Sequence, residues 1–342
     1  MFFLLERIRK IITSLSRRSL LFAILIGVAL VLIFSTSVFL LEKNSNEGFS
    51  NFGDSIWWII VTFTTIGYGD IAPITPLGRI IAVIGILIGV GFLAMVLGLI
   101  ANYIFNLIER RKKGMQTINS TNHILICGWN KEEGINVLKE LIADKKFESV
   151  AIIAELDEHP ALDINQASFV KGSAADKRVL EKANAGKAKA ALIFAKDSLD
   201  PASDGQTVLS AMNLKSLKKD IYICAELVED GNEDYLRKAG CNSVIDITRV
   251  GSNLMVQAIQ NPGVSEVISD LLSNRVGNEF YRVPVTQKIQ GRRIRDIINQ
   301  YENFVILGYE RNGKKVINPE KDSMIEKDDY LFVIAENRPD FQ

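Results

Sequence analysis

Thr62-Phe63-Thr64-Thr65-Ile66-Gly67-Tyr68-Gly69-Asp70 combines alternate glycines with threonine hydroxyls and lies between two long apolar runs. Glycine at every second position lets the backbone take left-handed torsions there, which turns successive carbonyl oxygens toward one axis. A column of carbonyls built this way replaces the hydration shell of a monovalent cation. Thr65 can add a hydroxyl at the inner end of the column, and Tyr68 is expected to point away and pack behind it, holding its diameter. A Gly/Thr-rich turn of a soluble protein uses the same residue types; the apolar flanks favour the ion-coordinating reading.

The flanks must hold such a loop inside a membrane. Residues 20–41 form an apolar run of about 22 residues, enough to cross ~30 Å of hydrocarbon and longer than the core of a cleaved signal peptide. The run 80–108 is uncharged for about 29 residues, so it must tilt or project beyond the bilayer core. Between them, 42–50 reads as a short polar turret and 52–64 as a helix too short to cross. Backbone at membrane depth that neither spans nor closes a barrel is tolerated where it is buried in protein or lines water, as a re-entrant pore helix does. Trp57 and Trp58 are expected to pack against Tyr68, to belong to an interfacial belt, or both. Arg17 and Arg18 precede the first run, and Arg110, Arg111, Lys112 and Lys113 follow the second. The positive-inside rule then places both ends in the cytoplasm, giving a multi-pass protein of the cell membrane whose loop faces outward. Residues 1–18 mix Phe2, Phe3, Leu4 and Ile8 with Arg7, Arg9 and Lys10, which suits a helix lying on membrane lipid.

Gly85, Gly89, Gly91 and Gly98 interrupt the second run. Each costs up to about 1 kcal/mol of helix stability. Close packing through small faces is one reason for the cluster; a hinge is another.

The 342 residues exceed what a two-helix hairpin needs, so a second domain type is expected beyond the basic, polar connector at 109–121. Lys plus Arg and Asp plus Glu both number 40, and no nucleic-acid partner is implied. His123-Ile124-Leu125-Ile126-Cys127-Gly128-Trp129-Asn130 reads as a buried strand ending in a glycine turn, and 131–143 follows at helical spacing. Apolar strands recur at 150–154, 168–170, 190–194, 221–225 and 243–245 with helical segments between. That alternation specifies a doubly wound parallel sheet. A helix-turn-helix pair, 252–259 and 264–272, precedes a smaller α+β lobe. Cys127, Cys224 and Cys241 are an odd number without C-x-x-C spacing and read as core residues in a reducing compartment.

The central run resembles the T-x-x-T-x-G-Y-G-D signature of the tetrameric potassium channels. The run from His123 to Asn130, with a second strand ending in Glu155, resembles the RCK domain, a regulator of potassium conductance. Together the two resemblances cover nearly the whole chain and match the prokaryotic two-helix channels with a single RCK domain. The fold this implies is a membrane α-helical tetrameric pore, two spans plus a re-entrant pore helix, joined to a cytoplasmic Rossmann-like α/β domain and a small α+β carboxy-terminal lobe. Its parts are an interfacial helix at 1–18, a pore domain at 19–108, a linker at 109–121, an RCK amino-terminal lobe at 122–249, a crossover helix pair at 250–275 and a carboxy-terminal lobe at 276–337.

The resemblance implies a potassium filter at Thr65, Ile66, Gly67, Tyr68 and Gly69, a gating hinge at Gly89 and a narrow inner lining at Ala94. Some relatives carry a glutamate where this chain has Val61, so a carboxyl pair with Asp70 is absent. An acidic ring of high-conductance relatives falls at Leu97 and Gly98. For an adenine nucleotide it implies Gly128, Trp129, Asn130, Glu155, Gly172 and Ser173. The glycine fingerprint is degenerate, however: Gly128 is followed by Asn130 and by Glu133-Gly134, and a bulkier turn with Glu133 counts against tight diphosphate binding. Asp157, Glu226 and Glu229, near strand ends, are the alternative, a calcium site of hard oxygen ligands. His123 and His159 are not spaced for metal. The expected function is a ligand-gated potassium channel, not an enzyme, in which RCK dimers, an octameric ring among the arrangements, pull on the inner helices of a homotetramer. Met115 stands where an internal start would supply extra soluble copies. A nucleotide-sensing transporter subunit and a membrane-anchored NAD-dependent oxidoreductase are the alternatives; the first lacks its own filter and the second a hydride-transfer site.

Overall fold

The computed structural model describes residues 17–143, 147–275 and 277–341, and the chain divides into two compact units, Met1–Arg110 and Arg111–Gln342. The interfacial helix expected over 1–18 lies outside the described residues up to position 16.

In the first unit α1 (Arg17–Glu42) and α3 (Pro76–Lys112) are long and apolar enough to cross a membrane. The 37 residues of α3 rise roughly 55 Å at 1.5 Å each, well beyond the ~30 Å hydrocarbon core. Phe22, Leu25, Leu87 and Phe105 stand largely exposed, which in water would be an aggregation surface and in lipid is the ordinary one. Between the two lies α2 (Phe52–Phe63), opened by a capping box: Asn51 accepts from the Asp54 amide at 3.1 Å, and Asp54 accepts from the Asn51 amide at 3.0 Å. That box fixes the entry of a short helix that propensity alone would not hold. Its buried face, Trp58, Ile59 and Phe63, packs on Phe34 of α1 and Ala82 of α3. In lipid this packing is held by close van der Waals contact rather than by removal of apolar surface from water.

The second unit opens on a six-stranded parallel sheet, β1 (Ile124–Cys127), β2 (Val150–Ala154), β3 (Ala167–Lys171), β4 (Ala190–Ile193), β5 (Tyr222–Glu226) and β6 (Ser243–Ile245), in the order β3-β2-β1-β4-β5-β6. Strand alternation divides the core. Leu125, Cys127 and Ile153 face one layer with Leu180, Leu214 and Leu236; Ile124, Ile126 and Ile152 face the other with Leu138. Accordingly α4 (Lys131–Ala143) covers one face, and α5 (Lys177–Lys182), α6 (Ser203–Leu217) and α7 (Glu233–Lys238) cover the other. The topology reverses between β1 and β4, and ligands of such sheets bind outside the strand carboxyl ends at that switch point.

The helix pair is α8 (Ile247–Gln260) and α9 (Val264–Leu272). The first begins earlier than the apolar spacing suggests because Asp246 caps it, accepting from the Arg249 amide at 2.7 Å. No residue of either helix is buried, and Ile259 is 83% exposed. The carboxy-terminal lobe is an antiparallel sheet of β7 (Glu279–Pro284), β8 (Phe304–Arg311), β9 (Lys314–Ile317) and β10 (Tyr330–Ala335), ordered β7-β10-β8-β9, with α10 (Ile294–Gln300) on its core face.

The segment expected to be a connector departs from a free tether. Helix α3 runs through its first residues to Lys112. Beyond it, the Gly114 carbonyl accepts from Lys171 at 3.0 Å, Ile118 donates to Lys182 at 2.8 Å and is buried in the sheet core, and Asn122 donates to Lys187 at 2.8 Å. Backbone bonds leave no side-chain period in a sequence, so this docking is invisible to pattern reading.

Candidate functional site

The loop after α2 is held by the helix it leaves. The Val61 carbonyl accepts from Ile66 at 3.0 Å and from Gly67 at 3.3 Å. Thr65, Gly67 and Gly69 have φ of 59°, 58° and 76°, so every second residue is left-handed and the intervening carbonyls turn to a common side. A Cβ on Gly67 or Gly69 would meet nothing within 4 Å; torsion, not crowding, calls for glycine here. Thr65 takes the same torsion with a β-branched side chain, at a cost of order 1–3 kcal/mol, which persists only where surroundings impose it. The sequence offered no sign of that third left-handed position.

Tyr68 stacks on Trp57 with centroids 5.9 Å apart and planes 8° from parallel. The Trp57 indole donates to Asp70 at 2.9 Å. One tryptophan thus braces both the Tyr68 ring and the Asp70 carboxylate. Trp58 does not reach Tyr68. It makes an edge contact with Phe49 at 6.0 Å, because consecutive residues of a helix point about 100° apart.

A second anchor was missed in the sequence. Glu42 is fully buried at the end of α1 rather than part of a solvated turret. It accepts from the Ile74 amide at 2.9 Å, the Thr75 amide at 3.0 Å, the Thr75 hydroxyl at 2.5 Å and Asn46 at 2.8 Å. Thr75 in turn accepts from the Gly78 amide at 3.0 Å, in the first turn of α3. A Cβ at Gly78 would overlap the Glu42 carboxylate. The loop from Asp70 to α3 is therefore tied at both ends.

Helix α3 is continuous through all four glycines. Gly85 receives the Phe34 ring and Gly89 the Phe63 ring; both are buried, and a Cβ at Gly89 would overlap Phe63. Gly91 and Gly98 have open space where a Cβ would stand, and Ala94 and Leu97 are exposed within the protomer. The residue expected to be the hinge is thus also a packing position.

At the switch point of the parallel sheet lies a crevice of about 240 Å³, lined by Gly128, Trp129, Glu155, Gly172 and Ser173. Gly128 (φ 85°) donates to Ile153 at 2.8 Å and sits where a Cβ would press the Phe194 carbonyl. Gly172 (φ 145°) donates to Ala154 at 2.9 Å against Val179. Asn130 does not join them; its amide donates to Glu133 at 3.0 Å outside the crevice. Lys196, Gln206, Thr207 and Ser210 also line it and were not foreseen. Lys196 pairs with Glu155 at 2.9 Å. Its one visible signal is a lysine just past a strand end.

The expected calcium ligands do not converge. Asp157 is exposed and bonded to Lys171 at 2.7 Å, which holds its carboxyl below the usual range. Glu226 is buried and accepts from the Ala195 amide at 2.8 Å; burial pushes its pKa up. Glu229 is exposed; its backbone amide donates to Asp204 at 3.0 Å and its backbone carbonyl accepts from Asn232 at 2.8 Å. Among the described residues no three His, Cys, Asp or Glu side chains are placed to hold a metal ion. Reading strand ends located these acids along the chain but not the directions of their side chains. Asp204, buried and accepting from Val228, Glu229 and Asn232, organises the loop after β5.

His123 and His159 are buried, and burial lowers the pKa of both. His159 accepts the Ala161 amide on Nδ1 at 3.0 Å, which leaves Nε2 to donate to Ala167 at 3.3 Å. The cysteines are free; burial pushes Cys127 up to about 12 and Cys241 up to about 11, so both are inert.

A two-helix apolar hairpin with a carbonyl loop, followed by a parallel-sheet domain, defines a membrane ion channel with a regulatory α/β domain. Family models agree: one described as ion channel matches 21–106, one described as TrkA-N domain matches 124–247, and one described as Castor and Pollux, part of voltage-gated ion channel, matches 248–342. The putative potassium channel protein YugO of Bacillus subtilis is 30% identical over 233 residues, 68% of this chain and 69% of that one. The calcium-gated potassium channel TvoK of Thermoplasma volcanium is 28% identical over 324 residues, 92% and 91% of the two chains. Among solved structures, the GsuK channel bound to NAD is similar at a TM-score of 0.49 and 21% identity, over 93% of this chain and 57% of that one. The chain belongs to the two-helix potassium channels that carry an RCK domain.

Proposed function

We propose that four copies of this chain assemble a potassium-selective pore whose filter is Thr65, Ile66, Gly67, Tyr68 and Gly69. The observation that carries this is the left-handed torsion at 65, 67 and 69. Residues 19–108 form the pore domain, with Ala94 on the inner lining and Gly89 the position where α3 bends on opening. Both termini are cytoplasmic, as the basic residues flanking the spans support. Residues 122–249 and 276–337 form the RCK lobes. The pair α8–α9, whose apolar faces are uncovered in the protomer, joins two RCK domains into a dimer. Four tethered domains supply half of an octameric ring, and a product started at Met115 supplies the rest.

The effector binds in the crevice at the strand carboxyl ends, with Gly128, Trp129, Glu155, Gly172 and Ser173 as its seat. That crevice is the reason for preferring an adenine ligand. Calcium, the effector in the name of TvoK, would need ligands other than the trio of Asp157, Glu226 and Glu229. A transporter subunit or an oxidoreductase would leave the filter geometry without a purpose.

Reversal potentials of the purified channel in a potassium/sodium gradient test the filter. Gly67→Ala forces a Cβ into a left-handed torsion at about 1–2 kcal/mol, and selective conduction is expected to vanish while the sheet domain still folds. An unchanged potassium preference would remove the assignment.

A further inference from the structure

A nucleotide with two phosphates needs an anion seat, and in parallel-sheet folds that seat is the helix amino terminus after the first strand. In this chain that terminus belongs to α4, and three observations at it and in the crevice bear on whether a diphosphate fits. Glu132 and Glu133 stand in its first turn, where carboxylates already satisfy the positive end of the helix dipole. Asn130 holds the Glu133 carboxylate at 3.0 Å across that turn.

The second observation is steric. A Cβ on Gly134 would come within 2.8–2.9 Å of three atoms of the Trp129 indole. A fingerprint uses its glycines for close approach of backbone to pyrophosphate and for helix packing; here the glycine gap is filled by the chain's own tryptophan.

The third is charge and size. Among the described residues lining the crevice, Glu155 and Lys196 are the charged ones, and they neutralise each other at 2.9 Å. Glu226, nearby and buried, feels Glu133 and Asp204 as further negative charges. The crevice volume of about 240 Å³ lies below the ~300–1,000 Å³ of ordinary ligand pockets.

What remains suits an uncharged ligand with hydroxyls. Glu155 stands at the end of β2, where a carboxylate meets a ribose diol. Ser173, Gln206 and Thr207 offer neutral donors and acceptors to the edge of a base. We infer that this crevice takes a nucleoside without a diphosphate, and that nucleoside diphosphates and dinucleotides are excluded by Trp129 and the Glu132-Glu133 turn. This rests on the reading of the crevice as the effector seat.

Calorimetric titration of the purified full-length channel with adenosine, AMP, ADP and NAD separates the two claims. Adenosine is expected to bind at least tenfold tighter than ADP or NAD, with AMP between. In Glu133→Gln, an exposed and conservative change, and in Trp129→Ala, ADP should gain at least fivefold relative to adenosine. ADP or NAD binding as tightly as adenosine would overturn the inference and leave the effector seat standing. So would wild-type ratios in both variants. Failure of all four ligands to bind would overturn the seat itself, and the inference with it.

Discussion

Glu42 gives the sharpest test of how the loop between Asp70 and α3 is held. The carboxylate presents Oε1 to the Thr75 amide and hydroxyl and Oε2 to the Ile74 amide and Asn46. In Glu42→Gln one oxygen survives and the new amide group faces a backbone N–H. At least one bond is therefore lost outright whichever way the amide turns, only the Thr75 hydroxyl being able to reverse and accept, and a second no longer has a charged acceptor. Each is worth about 1.5–3 kcal/mol. Relief of burying a charge returns part of this, leaving a net loss of about 2–4 kcal/mol. If the loss falls on the unfolding step, the half-life of potassium flux on warming shortens roughly 30- to 1,000-fold. The assay is flux from liposomes after timed heating, with Thr75→Val and the double variant closing a cycle. The reasoning requires a coupling energy well above about 0.5 kcal/mol between Glu42 and Thr75; a smaller value, or a half-life within about twofold of wild type, would refute it.

Three further outcomes are expected. Gly89→Ala should depress open probability, and because a Cβ there overlaps Phe63, at about 1–3 kcal/mol of overpacking, Phe63→Leu should restore single-channel gating if packing is the cause and leave it depressed if the bend is. Glu226→Gln should raise the thermal midpoint of the second unit at neutral pH: its pKa is raised by burial above 4.5, so the stability held by its proton is lost as pH rises, and the glutamine oxygen can still accept from Ala195. His123 and His159 work in the opposite sense. Their folded pKa values lie below 6.5, the unfolded chain binds more protons, and stability should fall as pH drops below about 6.5; melting curves that stay flat from pH 7 to about pH 5 would contradict it.

Elements built on side-chain period were legible in the sequence. The bounds 150–154, 243–245, 131–143 and 264–272 coincide with β2, β6, α4 and α9, because short apolar runs and the 3.6-residue period are written in residue types. The left-handed torsions of the loop at 65–69 were legible for the same reason at the two positions that are glycines, Gly67 and Gly69. Thr65 was not, because its torsion is imposed by the Val61 carbonyl gripping the two residues that follow. Glu42 read as turret because a charged residue after an apolar run ordinarily marks the return to water. Its burial depends on donors more than thirty residues away at Ile74 and Thr75. The calcium trio failed for a related reason. Proximity of strand ends is a property of the fold, whereas convergence of carboxylates depends on where each side chain points and on competitors such as Lys171 and the Ala195 amide.

The docked segment after α3 bears on how an RCK domain can act on a pore. A slack tether transmits little force until it is fully extended. Here Lys112 accepts from the His159 amide at 2.7 Å, its ammonium pairs with Glu158 at 2.9 Å, and Gly114 is bonded to Lys171 on the edge strand β3. Gly114 at φ 62° lies so close to Phe169 and the Lys171 amide that a Cβ could not be placed. The last residue of α3 and Gly114 just after it are thus bonded into the sheet domain and belong to its compact unit. A copy beginning at Met115 keeps Ile118 and Asn122 but loses Lys112 and Gly114. Its β3 edge exposes the Lys171 amide that a tethered copy covers. In the octameric ring proposed above, tethered and untethered domains would therefore differ at this edge.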